Sequence, residues 1–168
     1  MGPGNASKFS PSEADAIKNE WVEKADQNGW ITPRGIYAVL PCARKDNAIV
    51  ILDEKSGEEL GQIICNDIIS GDRQEVFSFA DFYQEGEIDR IGLQIVTSGM
   101  ASAEKAAYFR NNGDEESAFM LYGLAARTAE DLADVVQSMM MKDAGVETKR
   151  GQRFSPGSPG LKRIENNK

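Results

Sequence analysis

The spacing of apolar side chains changes several times along the chain, and each change marks an element. Between residues 12 and 28, Ile17, Trp21 and Ala25 recur every four positions with Val22 beside them, the pattern of one helix face. Ser12 with Asp15 approximates a capping box after Pro11, and Gly29 is a suitable stop. Thr32-Pro33-Arg34-Gly35 reads as a turn. Behind it, residues 36–40 and 48–52 are β-rich runs joined by polar Arg44-Lys45-Asp46-Asn47, which predicts a hairpin. Asp53 to Gly57 is a second turn, residues 59–64 continue as strand, and residues 65–69 fit either a strand or a short helical turn.

Further on, Ser78-Phe79-Ala80-Asp81-Phe82-Tyr83 gathers three aromatics around one acid, as in a short helix or turn. Residues 91–97 form a strand, in which Gly92 predicts the close approach of another backbone or ring. Residues 101–110 are a short alanine-rich helix. The longest helix is predicted over residues 114–143, with Asp114, Glu115 and Glu116 at the positive end of its dipole. Ala118, Leu121, Tyr122, Ala125, Ala129, Leu132, Val136 and Met140 trace its apolar stripe. Methionines 139 to 141 read as core filler near the helix end, because three adjacent side chains cannot converge on a metal. Gly145 should stop the helix.

Beyond it lies Glu147 to Pro159, ETKRGQRFSPGSP, where Lys149, Arg150 and Arg153 stand among glycines and prolines. These residues are poor material for a helix or a central strand, so an extended, turn-rich segment is expected. Composition alone leaves two readings, a mobile tail or a strip whose arginine presents its planar fork to a carboxylate or phosphate.

The 168 residues suit a single domain, with residues 1–11 a flexible leader, 12–160 the folded part and 161–168 a polar tail. A net charge of −8 argues against nucleic-acid binding and against docking on an anionic membrane. No apolar run reaches 18 residues, and the start of the chain lacks the apolar core of a signal peptide, so a cytoplasmic protein is expected. The Met1-Gly2 start formally resembles a myristoylation signal, which Pro3 counts against. Cys42 and Cys65 read as buried thiols in a reducing compartment, with a disulfide as the other possibility.

The chain contains no histidine. That removes Ser-His-Asp and Cys-His nucleophilic machinery and His-ligated zinc. Two cysteines cannot build a thiolate zinc cage within one chain, so no metal site is expected. Any chemistry must draw on carboxylates, arginines, a bound cofactor or a partner.

Five motifs, each weak alone, occur in one order: Thr32-Pro33-Arg34-Gly35, Phe79-Ala80-Asp81-Phe82, Asp89 to Gly99 (DRIGLQIVTSG), the alanine-rich Gly123 to Asp134, and Gly151 to Gly157 (GQRFSPG). In this order, over roughly residues 15 to 160, the chain resembles the activation domain of cobalamin-dependent methionine synthase. The resemblance implies an α+β fold, an antiparallel β-sheet flanked by helices. It also implies a module without chemistry of its own, part of or accessory to the synthase, that binds S-adenosylmethionine. That ligand would methylate reduced cobalamin on a neighbouring domain or corrinoid protein, with a flavodoxin-like protein supplying the electron.

Carried over residue by residue, the resemblance matches Arg153 to the arginine that pairs with the ligand carboxylate. Ser155 matches a position whose backbone contacts the ligand, and Pro156 and Gly157 shape that turn. Glu130 and Glu147 match acids near the sulfonium. The alternatives are surface pairing of Glu130 with Arg127, and of Glu147 with Lys149 or Arg150. A ligand with a carboxylate, an ammonium and a sulfonium calls for such a set of one cation and one or two acids, and methyl transfer from a sulfonium needs no general base.

The chain departs from the family pattern at Ser158, where the family has a tyrosine. No counterpart is found before Ser12 for a family acid that meets the ligand amino group, nor after Lys168 for another wall of the groove. The adenosylmethionine site is therefore expected to be incomplete, in a trimmed piece or in a compact relative completed by another chain. A second reading is a docking module that keeps the fold, has lost the ligand and offers an acidic face to a basic partner. A third, a corrinoid- or tetrapyrrole-binding role, is weakened by the lack of an axial imidazole.

Overall fold

The computed structural model describes residues 10–69, 76–146, 153–155 and 161–166. Three α-helices are found there: α1 (Pro11–Gln27), α2 (Met100–Asn111) and α3 (Glu115–Asp143). The strands are β1 (Arg34–Lys45), β2 (Ala48–Leu52), β3 (Glu59–Cys65), β4 (Asp67–Ile69), β5 (Val76–Ser78), β6 (Ile88–Thr97) and β7 (Leu161–Asn166), with a 3₁₀ turn at Phe79–Phe82. Five strands form one sheet in the order β6-β1-β2-β3-β7, and β4 pairs with β5. The β1–β2, β2–β3 and β3–β7 pairs are antiparallel. The α+β class expected from the sequence is the class observed.

The chain packs as two units. The first comprises the described parts of Met1–Ile36 and Ile95–Val136, the second those of Tyr37–Gln94 and Gln137–Lys168.

In the first unit, Ala25, Ala106 and Leu121 are buried, with Trp21, Trp30, Ile31, Phe109 and Leu124 packed around them. Phe109 meets both tryptophans edge-on, at 6.3 Å from Trp21 and 5.7 Å from Trp30. Tyr122, expected on the buried stripe of α3, is 67% exposed. Ala118, Leu121 and Ala125 define the inner face, and Leu124 rather than Tyr122 extends it. The cap of α1 is Ser10, not Ser12. Its hydroxyl accepts from Glu13 N, its own N–H donates to the Glu13 carboxylate, and Pro11 takes the first turn. A proline there forfeits only a donor that has no helical partner. Helix α1 thus begins at Pro11, inside the span expected to be a flexible leader, and residues 1–9 lie outside the described residues.

The Thr32-Pro33-Arg34-Gly35 and VTSG motifs meet in this unit. Thr32 N donates to Ser98 O at 2.9 Å. Gly99 stands at φ 97°, ψ 156° as the N-cap of α2, a conformation open essentially to glycine alone. A Cβ on Gly99 would come within 2.3 Å of Thr32 Oγ1. Arg34 and Gly35 already belong to β1, and Thr32 and Pro33 lead into it without a turn, so the turn expected there is not formed.

The second unit is built on the sheet. Strand β1 is longer than predicted and passes through Pro41, which is tolerated because the β2 pairing starts only at Cys42, opposite Ile51. The hairpin closes on Asp46 and Asn47, with Asp46 at φ 53°. The core is Cys42, Ile49, Ile51, Ile63, Cys65, Phe79 and Ala80. Gly92 does admit a close neighbour, but it is the Met140 side chain rather than a backbone or ring. Helix α3 ends as expected. Gly145 takes φ 70°, its N–H reaches Lys142 O, and Val146 N reaches Met141 O.

Residues 161–166, expected to be part of a polar tail, form strand β7 on the edge of the sheet. Leu161 lies opposite Cys65 and Ile164 opposite Ile63, and Leu161 packs on the core. The strand depends on this long-range pairing, which a short, charged sequence does not announce.

Gly99→Ala should lower stability by about 1–3 kcal/mol through backbone strain at this position. A matching fall in the urea midpoint with an unchanged slope checks it.

Candidate functional site

The site begins with a turn whose two ends are closed by side chains. Ser78 N donates to Asp81 Oδ2 at 2.7 Å, and Ser78 Oγ accepts from Ala80 N at 3.1 Å. Asp81 also receives Arg44 Nη2 at 2.6 Å, an ion pair that ties the turn to β1. Both partners keep some contact with water, so geometric anchoring matters more here than raw stabilisation. The turn presents Phe79 and Ala80 to the core, while Phe82 remains exposed.

Against this turn rests Phe154, the residue next to Arg153. The Phe154 ring lies 3.7 Å centroid to centroid from Phe79, with the planes inclined by 39°. Phe154 is 43% exposed, and its neighbours Arg153 and Ser155 are exposed. The Phe154 ring contact thus lies between a guanidinium and a hydroxyl in sequence.

Of the six residues singled out by sequence, Arg153 and Ser155 are thus placed together in the second unit. Glu130 belongs to α3 in the first unit and is exposed there. Its carboxylate lies 3.9 Å from Arg127 Nη1, while Arg127 bonds more closely to Asp131, at 2.7 Å and 3.2 Å. The long Glu130 contact constrains the acid little. Glu147, Pro156 and Gly157 lie outside the described residues. The sequence reading missed Phe154, although it is the only aromatic in the strip. It also missed the Arg44–Asp81 pair.

The two cysteines are free and buried. Cys42 faces Ile51 of β2, whereas Cys65 lies near Asn47 at the opposite end of that strand, so their strands hold them apart. Burial pushes the Cys42 thiol up from 9.0 to about 11, with the charge of Asp89 adding to it. Burial likewise pushes the Tyr83 hydroxyl up to about 12. These are neutral core groups rather than nucleophiles. On the end of α3, Tyr37 Oη donates to Asp143 Oδ2 at 2.5 Å, which raises the phenol above its ordinary range.

The architecture is that of a known structure. The chain is similar to the crystal structure of the MetH reactivation domain bound to AdoHcy, with a TM-score of 0.66 and 23% identity. The match covers 80% of this chain and 45% of that one, so the chain spans less than half the length of that structure. The likeness shows the fold. The family follows from a separate comparison: the sequence model of the vitamin B12 dependent methionine synthase activation domain matches residues 12–150. The chain belongs to that family. Among the described residues, no helix is long and apolar enough to cross a membrane.

Because an unfolded thiol loses its proton near 9.0 and folded Cys42 holds it to about 11, the folded state binds more protons in between. This contribution to stability is intact below pH 9 and is lost as pH rises toward 11. Urea midpoints should fall over that window, and fall less steeply in Cys42→Ala.

Proposed function

We propose that this chain is an S-adenosylmethionine-binding reactivation module supporting reductive methylation of cobalamin in methionine synthase, and that it works in the cytoplasm. The observation that carries this reading is the activation-domain family match over residues 12–150. The similar domain whose structure was determined with AdoHcy adds support. The proposed partners are a cobalamin-binding domain or corrinoid protein and a flavodoxin-like electron donor.

The residues fit a ligand of this chemistry. Arg153 is exposed on a strip held at the turn, and its guanidinium would pair bidentately with the ligand carboxylate. Ser155 would offer backbone groups beside it, and the resemblance gives Pro156 and Gly157 the task of shaping its turn. Glu147 would face the sulfonium, which attracts a carboxylate without hydrogen bonding to it. S-adenosylmethionine, when bound, supplies a methyl group to reduced cobalamin on the partner. This chain's residues bind and orient, and they need move no proton.

One feature favours the second reading, a docking module that keeps the fold without the ligand. Ser158 replaces the family tyrosine in GSP, removing a flat wall from the groove that the family resemblance implies.

Calorimetric titration with S-adenosylmethionine separates the two. Saturable binding is expected, lost by at least about tenfold in Arg153→Ala, since a charged hydrogen-bonded pair contributes roughly 1.5–3 kcal/mol. The melting temperature of the variant should be nearly unchanged, because Arg153 is exposed. Absence of heat up to millimolar ligand would favour docking, and equal binding by Arg153→Ala would refute the assignment of that residue.

A further inference from the structure

We infer that Phe154 is the positioning residue of the candidate site, holding Arg153 in place by stacking on Phe79. The inference rests on the reading of Arg153 as a carboxylate-binding residue, and adds the device that fixes it.

Arginine carries about 2 kcal/mol of side-chain rotamer entropy, and fixing the backbone of its residue costs about 1–2 kcal/mol more, freedom that must be lost before Arg153 can be offered in one place. In the described part of that strip, Phe154 alone supplies a large apolar surface. Its ring sits 3.7 Å from that of Phe79. Phe79 cannot give way, because it is 8% exposed and belongs to the sheet core. Its turn is closed at Ser78 and Asp81, and Asp81 is paired with Arg44 of β1. Thus a continuous path of contacts runs from the sheet, through Arg44, Asp81 and Phe79, to the residue next to Arg153. Phe154 itself is 43% exposed, more open than a residue kept for core packing alone. Aromatic pairs contribute about 0.5–1.5 kcal/mol beyond their buried area, enough to shift the strip between held and free by up to about tenfold. The pairing makes a specific demand. An aromatic ring at position 154 should serve, and an aliphatic side chain of similar bulk should not.

The experiment uses the full chain with Phe154→Ala, Phe154→Leu and Phe154→Tyr, read in two ways. The first needs no ligand. Native-state trypsin cleavage at the Arg153–Phe154 bond is followed by mass spectrometry, with each rate normalised to the same chain unfolded in urea. Cleavage should rise about fivefold to tenfold in Phe154→Ala and Phe154→Leu and stay within about twofold of wild type in Phe154→Tyr. The second is calorimetric titration with S-adenosylhomocysteine. Affinity should fall by a similar factor in Phe154→Ala and Phe154→Leu and be retained in Phe154→Tyr, with all three melting cooperatively.

Unchanged cleavage in Phe154→Ala and Phe154→Leu overturns the anchoring of Arg153, whatever the ligand does. Faster cleavage with undiminished affinity overturns the positioning role. Faster cleavage in a protein whose wild type binds no ligand supports the anchoring and overturns the ligand reading beneath it, so the two failures are told apart.

Discussion

A 3₁₀ turn of four residues has too few hydrogen bonds to hold itself in water. Phe79–Phe82 holds because Phe79 and Ala80 are buried with the sheet residues and because Ser78 and Asp81 close its backbone ends. Burying the Phe79 side chain contributes roughly 1.5–3 kcal/mol. The Arg44–Asp81 pair fixes the direction in which the turn leaves β5. Once Phe79 is fixed, its ring becomes the surface against which a distant part of the chain can rest, and Phe154 rests there. The core of the second unit and the placement of Arg153 therefore share one buried phenylalanine.

The first unit depends on a comparable close approach, of backbone rather than rings. Gly99 can adopt its extended positive-φ conformation only because it lacks a Cβ, and Thr32 occupies the space a Cβ would take. The hydrogen bond from Thr32 N to Ser98 O joins the end of β6 to the segment leading into β1. Two motifs that read as separate punctuation in the sequence are thus halves of one junction. Their order along the chain reflects which segments must meet.

Much of the fold was legible because it rests on period. The four-residue spacing of Ile17, Trp21 and Ala25, the stripe of α3 and the hairpin around Asp46 and Asn47 are all local signals. What escaped was decided elsewhere. Strand β7 exists because β3 has a free edge. Strand β1 runs through Pro41 because the neighbouring pairing starts one residue later. The choice of Ser10 over Ser12 as the α1 cap turned on Pro11, which fits the first helical position. Arg153 and Ser155 were singled out only through a motif resemblance, because no local pattern separates a ligand-binding arginine from a surface one. Phe154 was overlooked for the matching reason, since its value lies in a ring partner 75 positions earlier in the chain.

The fold and the family are those of an activation domain; on the proposed reading, the exposed arginine recognises a charged cofactor and the chemistry is left to that cofactor and a partner. The absence of histidine is no obstacle to the proposed role, because methyl transfer from a sulfonium needs no proton shuttle. The most direct measurement is a crystal structure of this chain grown with saturating S-adenosylhomocysteine. The account predicts ligand density at the strip, its carboxylate within hydrogen-bonding distance of the Arg153 guanidinium and the Phe154 ring still stacked on Phe79. Ligand bound elsewhere with Arg153 uninvolved, or no ligand at saturation, would contradict it.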